Sequence, residues 1–495
     1  MWVLKERGDR LAKARFSSSV SRDQINDLVD GKLSFREEPI KCEEVAEVEE
    51  DQQPKKRLKT QTIEELCLPW KTKPYATQLQ DKRKIVIDAM QAALKGVEVQ
   101  AKSRGYSPLP AWDSLVVEKT IHIPPVDGEP VPGYRNKCEF TFACNAAGEP
   151  DIGFMHSRAT NTSEPVVAAG ENLMHVSLQT RSIVESLREL LRYMVDKYPL
   201  FSHLTKQGCW RMTSIRACPI TGNSQVILQS GPMAVSDRIF FEAALTKWAE
   251  SISVTSLFVQ YNSSVTDTIA LSELHEMKLL FGPESISMGV GDLRFQVHPL
   301  SFFQTNSHGC DLLYGRVRDE ASSALSANGV CFDVCCGVGT IGQYVASSTT
   351  RVIGVDIVEE AIENAQRNAE LNNLADQCEY VAGRAEHVLP SIIAATAASS
   401  IVAIVDPPRS GLHKSVISAI RENEAITTLI YVSCNPKTMS DDLVKFCEPL
   451  ISAPEEEGVA VNRRFIPSKA VAVDMFPNTL HCEVVVTLTR DPPTL

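Results

Sequence analysis

The chain has 495 residues, 43% of them hydrophobic and 23% charged, which is ordinary globular usage and excludes wholesale disorder, collagen and fibrous repeats. Its formal net charge is −12, from 50 basic and 62 acidic residues, and taken whole that argues against a simple polyanion binder. The 14 cysteines are too sparse for a disulfide scaffold and include no Cys-x-x-Cys pair, so reduced packing cysteines are expected and zinc ribbons are not. The longest apolar-leaning run, residues 394–405, is interrupted by Thr396, Ser399 and Ser400 and ends at Asp406. It falls short of the ~18 to 20 apolar residues of a membrane span, and no membrane association is expected.

Residues 1–60 carry charge in blocks without a sustained apolar period and read as a mostly disordered N-terminal tail. Six acids and no base lie within residues 43–51, followed by Pro54-Lys55-Lys56-Arg57-Leu58-Lys59, which reads either as a nuclear import signal or as a solvated linker. Lys5, Arg7, Arg10, Lys13 and Arg15 give the first 19 residues some likeness to a mitochondrial presequence, weakened by Glu6 and Asp9. The expected location is cytoplasm or nucleus, with the mitochondrion as the alternative.

Residues 61–326 mix helical and strand-like segments and read as a central α+β domain. Helical spacing covers residues 75–94 and 182–198, and strand-like runs cover 136–144, 152–155 and 226–229. From Arg181 to Arg216 seven bases face three acids, with Phe201 and Trp210 among them. Such interleaving suits phosphates and stacked bases, and it also suits a plain helix surface.

From residue 327 onward short β-branched runs alternate with amphipathic helices, the pattern of a parallel sheet covered on both faces. Strands are expected at 330–334, 351–357, 379–382, 401–405 and 428–433, then at 470–475 and 482–489. The short link between the last two implies antiparallel pairing, so the expected fold is a doubly wound α/β domain with a C-terminal antiparallel strand.

Chemistry gathers at the carboxyl ends of these strands. Gly337, Gly339 and Gly342 form Gly-x-Gly-x-x-Gly between strand and helix, and Asp356 ends the next strand where an acid can hold ribose hydroxyls. That pair fits a nicotinamide dinucleotide or S-adenosylmethionine, or a tight turn without a ligand. Asp406-Pro407-Pro408-Arg409 follows the fourth strand, and the prolines force the chain out of the sheet and display Asp406 at its edge. An aromatic after Asp-Pro-Pro is typical of amino-group methyltransferases, so Arg409 in that place argues against an exocyclic amine as acceptor. Cys434 ends the neighbouring strand as a candidate nucleophile, although a cysteine there also packs. Glu483 lies within the apolar run His481-Cys482-Glu483-Val484-Val485-Val486, where a carboxylate is costly without a partner or a task.

Together these residues strongly resemble the RNA uracil-5-methyltransferase family, most closely its eukaryotic members. The resemblance is carried by His298-Pro299-Leu300-Ser301-Phe302-Phe303-Gln304-Thr305-Asn306, the loop from Cys335 to Gly342, Gly383-Arg384-Ala385-Glu386, Asp406 to Leu412, Ser433 to Pro436, and Val471 to Glu483. A weaker likeness includes Tyr134-Arg135-Asn136-Lys137-Cys138-Glu139-Phe140. It implies a Rossmann-like S-adenosylmethionine-dependent methyltransferase domain over residues 327–495, with cofactor contact from 298–306 and a central domain that binds RNA. It implies Cys434 as nucleophile and Glu483 as base, and Gln304, Asp356 and Asp406 as cofactor contacts. Cys335, Gly337, Gly339, Thr340 and Glu386 line the same pocket. The cysteine set of cluster-containing members is missing, so no iron–sulfur cluster or metal is expected, and no N-terminal oligonucleotide-binding barrel is expected either.

The implied chemistry needs these residue types. Carbon 5 of uracil is a poor nucleophile until a thiolate adds to carbon 6, and a carboxylate then removes the carbon 5 proton so that the thiolate can leave. The expected substrate is tRNA, most specifically its T-loop uridine, turned into the pocket beside an aromatic such as Phe154, Phe302 or Phe303. The chain is expected to be a monomer. Cytosine-5 methylation uses the same addition but goes with a Pro-Cys in the fourth-strand motif, and a non-catalytic RNA-binding or tRNA-folding protein would be expected to lose the cysteine or the acid. The charge divides as 0 over residues 1–60, −3 over 61–330 and −9 over 331–495, which leaves phosphate contacts to the central domain.

Overall fold

The computed structural model describes residues 61–490 apart from 105–114, 161, 265–268, 270–274, 347–349, 397 and 449–463. Met1–Thr60 and Gln61–Leu495 form two compact units. Of the first, only short strands are described: β1 (Trp2–Leu4) pairs antiparallel with β2 (Lys13–Arg15), and β3 (Ser34–Phe35) with β4 (Glu38–Pro39). The acidic block at 43–51, the basic hexamer at 54–59 and most of the basic run in 1–19 lie outside the described residues.

The second unit opens with α1 (Ile63–Cys67), started by a capping box in which Thr62 and Glu65 satisfy each other's backbone N–H groups. Next come the 30-residue α2 (Tyr75–Arg104) and the short β5 (Val116–Val117). Seven strands then make the central sheet: β6 (Lys137–Cys144), β7 (Pro150–Ser157), β8 (Val166–Ala168), β9 (Trp210–Ala217), β10 (Ser224–Ser230), β11 (Ser256–Asn262) and β12 (His275–Phe281). Their order is β12-β11-β10-β9-β6-β7-β8. Two helices cover one face, α3 (Leu178–Met194) and α4 (Val235–Ser251). Ile183, Val184, Leu187 and Leu191 repeat at helical spacing and bury one stripe of α3 against Phe140, Ile215 and Leu228 of the sheet. The hydroxyl of Ser177 caps α3, so the helix begins four residues before the expected start and ends at Met194.

The hairpin of β13 (Ile286–Val290) and β14 (Leu293–Val297) leads into α5 (Ser307–Ala324) and the C-terminal sheet. Its elements in chain order are β15 (Val330–Val334), α6 (Thr340–Ala346), β16 (Arg351–Asp356), α7 (Glu359–Leu371), β17 (Cys378–Ala382), α8 (Ala385–Ala395), β18 (Ile401–Val405), α9 (Lys414–Glu422), β19 (Ile426–Ser433), α10 (Pro436–Cys447), β20 (Phe465–Val473) and β21 (Glu483–Arg490). The spatial order is β17-β16-β15-β18-β19-β21-β20-β5, parallel from β17 through β19, with β21 antiparallel to both of its neighbours. The doubly wound fold with a C-terminal antiparallel strand is therefore present as expected.

Every residue of β15 and β18 is buried, because helices cover both faces. Burying each large apolar side chain stabilises the fold by about 1.5 to 3 kcal/mol. One face carries α8, α9 and α10 together with α2, whose Val86, Met90, Ala93 and Val97 join that core; the other carries α5, α6 and α7. Helix α2 thus packs on the C-terminal sheet, and the chain passes out to the central sheet and back. Among the described residues no helix is long and apolar enough to cross a membrane.

Candidate active site

The site forms where β15, β16, β18 and β19 end and where β21 begins. β18 is an unbroken apolar strand stopped by Pro407-Pro408, which leaves Asp406 just past Val405. Val405 pairs with Tyr431 of β19, so the two strand ends lie side by side. β19 pairs antiparallel with β21 up to Ser433 opposite Val484; Cys434 and Glu483 are the next residues along that register, and the Glu483 charge acts on the Cys434 thiol. Residues facing each other across such a pair have Cβ atoms about 5 Å apart. On its other side Glu483 pairs with Val473 of β20, and its side chain is buried.

The environment of these two groups is uneven. Glu483 is buried, and its Oε2 has no hydrogen-bond partner. Burial, then the charge of Asp406, push its pKa well above the usual carboxylate range, and Arg409 opposes them. Cys434 is half-exposed, and its thiol is pushed up by burial, then by Glu483 and Asp406, while Arg409 lowers it by charge and by a hydrogen bond to its side chain. Asp406 itself is raised to about 6 by burial. Cys434 also lies just before the N-terminus of α10, where Asn435 is the cap and Pro436 opens the helix. Aligned peptide dipoles at that end favour a thiolate.

A second group surrounds the glycine loop. Cys335 has φ +67° and Gly337 φ +54°, and a Cβ placed on Gly337 would meet nothing within 4 Å, so the turn faces open space. Gly339 lies against the Tyr380 hydroxyl. Asp356 accepts the N–H groups of Gly337 and Val358, both at 2.9 Å. Asp333, inside β15, accepts the Gly342 N–H at 2.8 Å, while its other oxygen is buried without a partner; burial raises its pKa to about 7 despite that bond. Burial, then the charges of Asp356, Asp333, Asp406 and Glu386, push the Cys335 thiol up to about 12. Glu386, in the first turn of α8, also pairs with Arg384 at 3.9 Å.

Asp406 acts on both groups and joins them. Gln304 and Thr340 are placed through other neighbours. Thr340 lies 3.1 Å from the Tyr314 hydroxyl of α5. Gln304 is buried in a loop fixed from the central sheet: the Asn136 amide donates to the Gln304 carbonyl at 2.9 Å, and Arg216 donates to the carbonyls of His298 and Ser301 at 3.2 and 2.9 Å. Of the three candidate aromatics, Phe303 is buried against Phe295, Phe154 packs on Phe140, and Phe302 is 73% exposed.

Sequence reasoning missed three contributors. Asp333 interrupts the apolar strand Val330-Cys331-Phe332-Asp333-Val334, the same signal that singled out Glu483. Arg409 was read through the aromatic it replaces, whereas it is the cation beside Cys434 and Glu483. The third is a brace on the loop between β20 and β21. Lys82 of α2 donates to Asp474 at 2.5 Å with both side chains fully buried, the Tyr75 hydroxyl donates to the other Asp474 oxygen at 2.9 Å, and Gln78 exchanges hydrogen bonds with Asn478. Helix α2 therefore holds the turn that delivers Glu483.

Comparison with known proteins identifies relatives over most of the chain. Residues 283–491 match the family model described as tRNA (Uracil-5-)-methyltransferase. The chain is 31% identical over 446 residues to the mouse (Mus musculus) tRNA (uracil-5-)-methyltransferase homolog A, covering 86% of this chain and 69% of that protein. The human (Homo sapiens) protein of the same name is 32% identical over 444 residues, covering 86% and 67%. Among solved structures, the Pyrococcus abyssi tRNA (uracil-54, C5)-methyltransferase in complex with S-adenosyl-L-homocysteine shares the fold with a TM-score of 0.57 at 23% identity, over 84% of this chain and 83% of that one. The chain belongs to the tRNA (uracil-5-)-methyltransferase family.

Proposed function

We propose that this family member methylates carbon 5 of a tRNA uridine, the T-loop uridine in particular, with S-adenosylmethionine as methyl donor, Cys434 as nucleophile and Glu483 as base. The observation that carries the reading is the register of β19 and β21, which sets a half-exposed thiol against a buried, unpartnered carboxyl group. The residues present fit the cofactor: the open turn at Gly337, the orphaned oxygen of Asp333 and a crowd of carboxylates with raised pKa values suit a ligand bearing hydroxyls and positive charge. Asp356, Asp406, Glu386, Gln304, Thr340 and the loop Cys335, Gly337 and Gly339 would hold it. When bound it supplies an electrophilic methyl group.

The protein's own residues do the rest. Arg409 and the N-terminus of α10 favour the Cys434 thiolate, which adds to carbon 6 of the uracil and makes carbon 5 nucleophilic. After methylation the carbon 5 hydrogen must leave as a proton before the Cys434 bond breaks. Glu483, beside the thiol and shielded from water, takes that proton. Once ionised, a carboxylate whose pKa is raised by burial is a stronger base than an exposed one. Phe302 is the aromatic free to stack on the displaced base.

The test is 5-methyluridine mapping on a tRNA transcript incubated with the cofactor and either the wild-type chain or Cys434→Ala. Methylation by wild type that disappears in the variant is expected. Methylation by Cys434→Ala at the wild-type rate would reject the mechanism, and none by wild type would reject the activity.

A further inference from the structure

Arg188 of α3 lies between two carboxylates, Asp151 at 2.6 Å and Glu171 at 3.0 Å. Two neighbouring arginines have no carboxylate partner among the described residues. Arg135, in the segment entering β6, donates Nε to the Lys137 carbonyl at 3.1 Å. Arg181, in the first turn of α3, donates to the Leu173 carbonyl at 3.3 Å, and its Nε is buried without a partner. Both act on His175, which is 5% exposed and whose Nδ1 also has no partner. Burial first, then the two arginines, lower the His175 pKa to about 3, so the ring is neutral and adds no charge. Two half-buried cations, an orphaned imidazole and the N-terminus of a 17-residue helix thus meet, and among the described residues neither cation has a carboxylate partner. Cations left without a counter-charge at a helix N-terminus attract one.

The neighbours of Arg135 say which anion. The Tyr134 hydroxyl donates to the Pro477 carbonyl, in the loop before Glu483, at 3.1 Å. Asn136 donates to the carbonyls of Gln304 and Thr305. Arg135 stands between residues that touch the base-bearing loop and the cofactor loop. We propose that Arg135 and Arg181, with the N-terminus of α3, bind a backbone phosphodiester of the RNA substrate close to the reacting nucleotide. The inference rests on the reading that the chain methylates RNA. Such a phosphate fixes the strand where its base has to leave the stack, and it contributes affinity without reading sequence.

The experiment is binding of the full chain to a tRNA transcript over a range of salt concentrations. Arg135→Gln and Arg181→Gln should each weaken binding several-fold and lower the slope of log affinity against log salt by about 0.7 to 0.9, the signature of one lost phosphate contact. Arg135→Lys and Arg181→Lys should keep the slope, as should Arg367→Gln, which removes an exposed cation paired with Glu363 on α7. Weaker binding with an unchanged slope would make the arginines structural and overturn the site. Phosphate ethylation of the T-arm reads the contact without altering the protein. A block by one or two ethylated phosphates beside the target uridine is expected, and the lack of any such position overturns the site. If wild type methylates RNA while the glutamine variants keep its slope, this inference alone falls. If wild type neither binds nor methylates RNA, the functional reading falls with it.

Discussion

The two large sheets use buried charge in opposite ways. At the edge of the C-terminal sheet Asp333, Asp406 and Glu483 crowd together with raised pKa values, and two of the three leave an oxygen unpartnered. In the central sheet the buried arginines are satisfied: Arg211 donates to the carbonyls of Asn262 and Ser264, and Arg216 to those of His298 and Ser301. Satisfied charges are struts, while frustrated ones mark where a ligand or a proton is meant to go. The contrast corrects the view of Arg181 to Arg216 as one basic surface. Arg188, Arg211 and Arg216 are committed inside the fold, and only Arg192, Lys197 and Lys206 are exposed.

The strongest way to break the contrast is Glu483→Gln. Removing the proposed base should cost at least 10²-fold in turnover while leaving the proposed nucleophile, Cys434, free to add. A covalent RNA–protein species that survives denaturation should therefore accumulate, visible as a slow band on a denaturing gel. Full turnover by this variant would make Glu483 a structural acid like Glu171, and the edge of the C-terminal sheet would lose its distinction.

Lys82→Met comes next. Removing one partner of a fully buried pair leaves Asp474 uncompensated, a loss of about 3 to 5 kcal/mol. Urea unfolding measures it, and Lys82→Met with Asp474→Leu should regain most of the loss, because replacing both partners removes the buried charge altogether. Stability unchanged by Lys82→Met would mean that the brace does not hold the Glu483 loop. Arg216→Ala should cost less, about 1 to 3 kcal/mol, since it strands two carbonyls rather than a charge. It should weaken cofactor binding through the Gln304 loop and leave the salt slope of RNA binding unchanged. A lower slope would place Arg216 among the phosphate ligands and erase its difference from Arg135.

What was legible in the sequence follows the same division. Strands β15 and β18 lie where they were expected to the residue, because short β-branched runs ended by Gly or Pro carry their limits locally. All ten expected site residues lie at strand or helix ends or in the loop that α5 follows. The helix expected over 75–94 runs on to Arg104, since Gly96 does not end it but lets α2 approach Val444 of α10, where a Cβ would come within 2.5 Å of a methyl group. The facing of Cys434 and Glu483 was not legible, because it depends on strand register. Nor was the bond from Lys82 to Asp474, which links residues 392 apart. The seven bases misled because sequence counts charges and does not say which are buried.

The smallest effect concerns pH. Asp333 and Asp406 have folded pKa values of about 7 and about 6 against an ordinary 3.8, so the folded state holds their protons more tightly than the unfolded chain. Raised carboxyl values mean that stability falls as pH rises from about 4 through 7, and above that the penalty is fully present. A ligand with positive charge in this pocket offsets that penalty only once the carboxylates are ionised. S-adenosylmethionine should therefore stabilise the protein more than S-adenosylhomocysteine, which lacks the sulfonium charge, by about 1 kcal/mol at pH 8, the size of one screened charge pair. The difference should shrink toward pH 5. Thermal shifts with each ligand across this range measure it. A difference that stays constant, or grows toward acid, would show that these carboxylates do not sense the cofactor's charge.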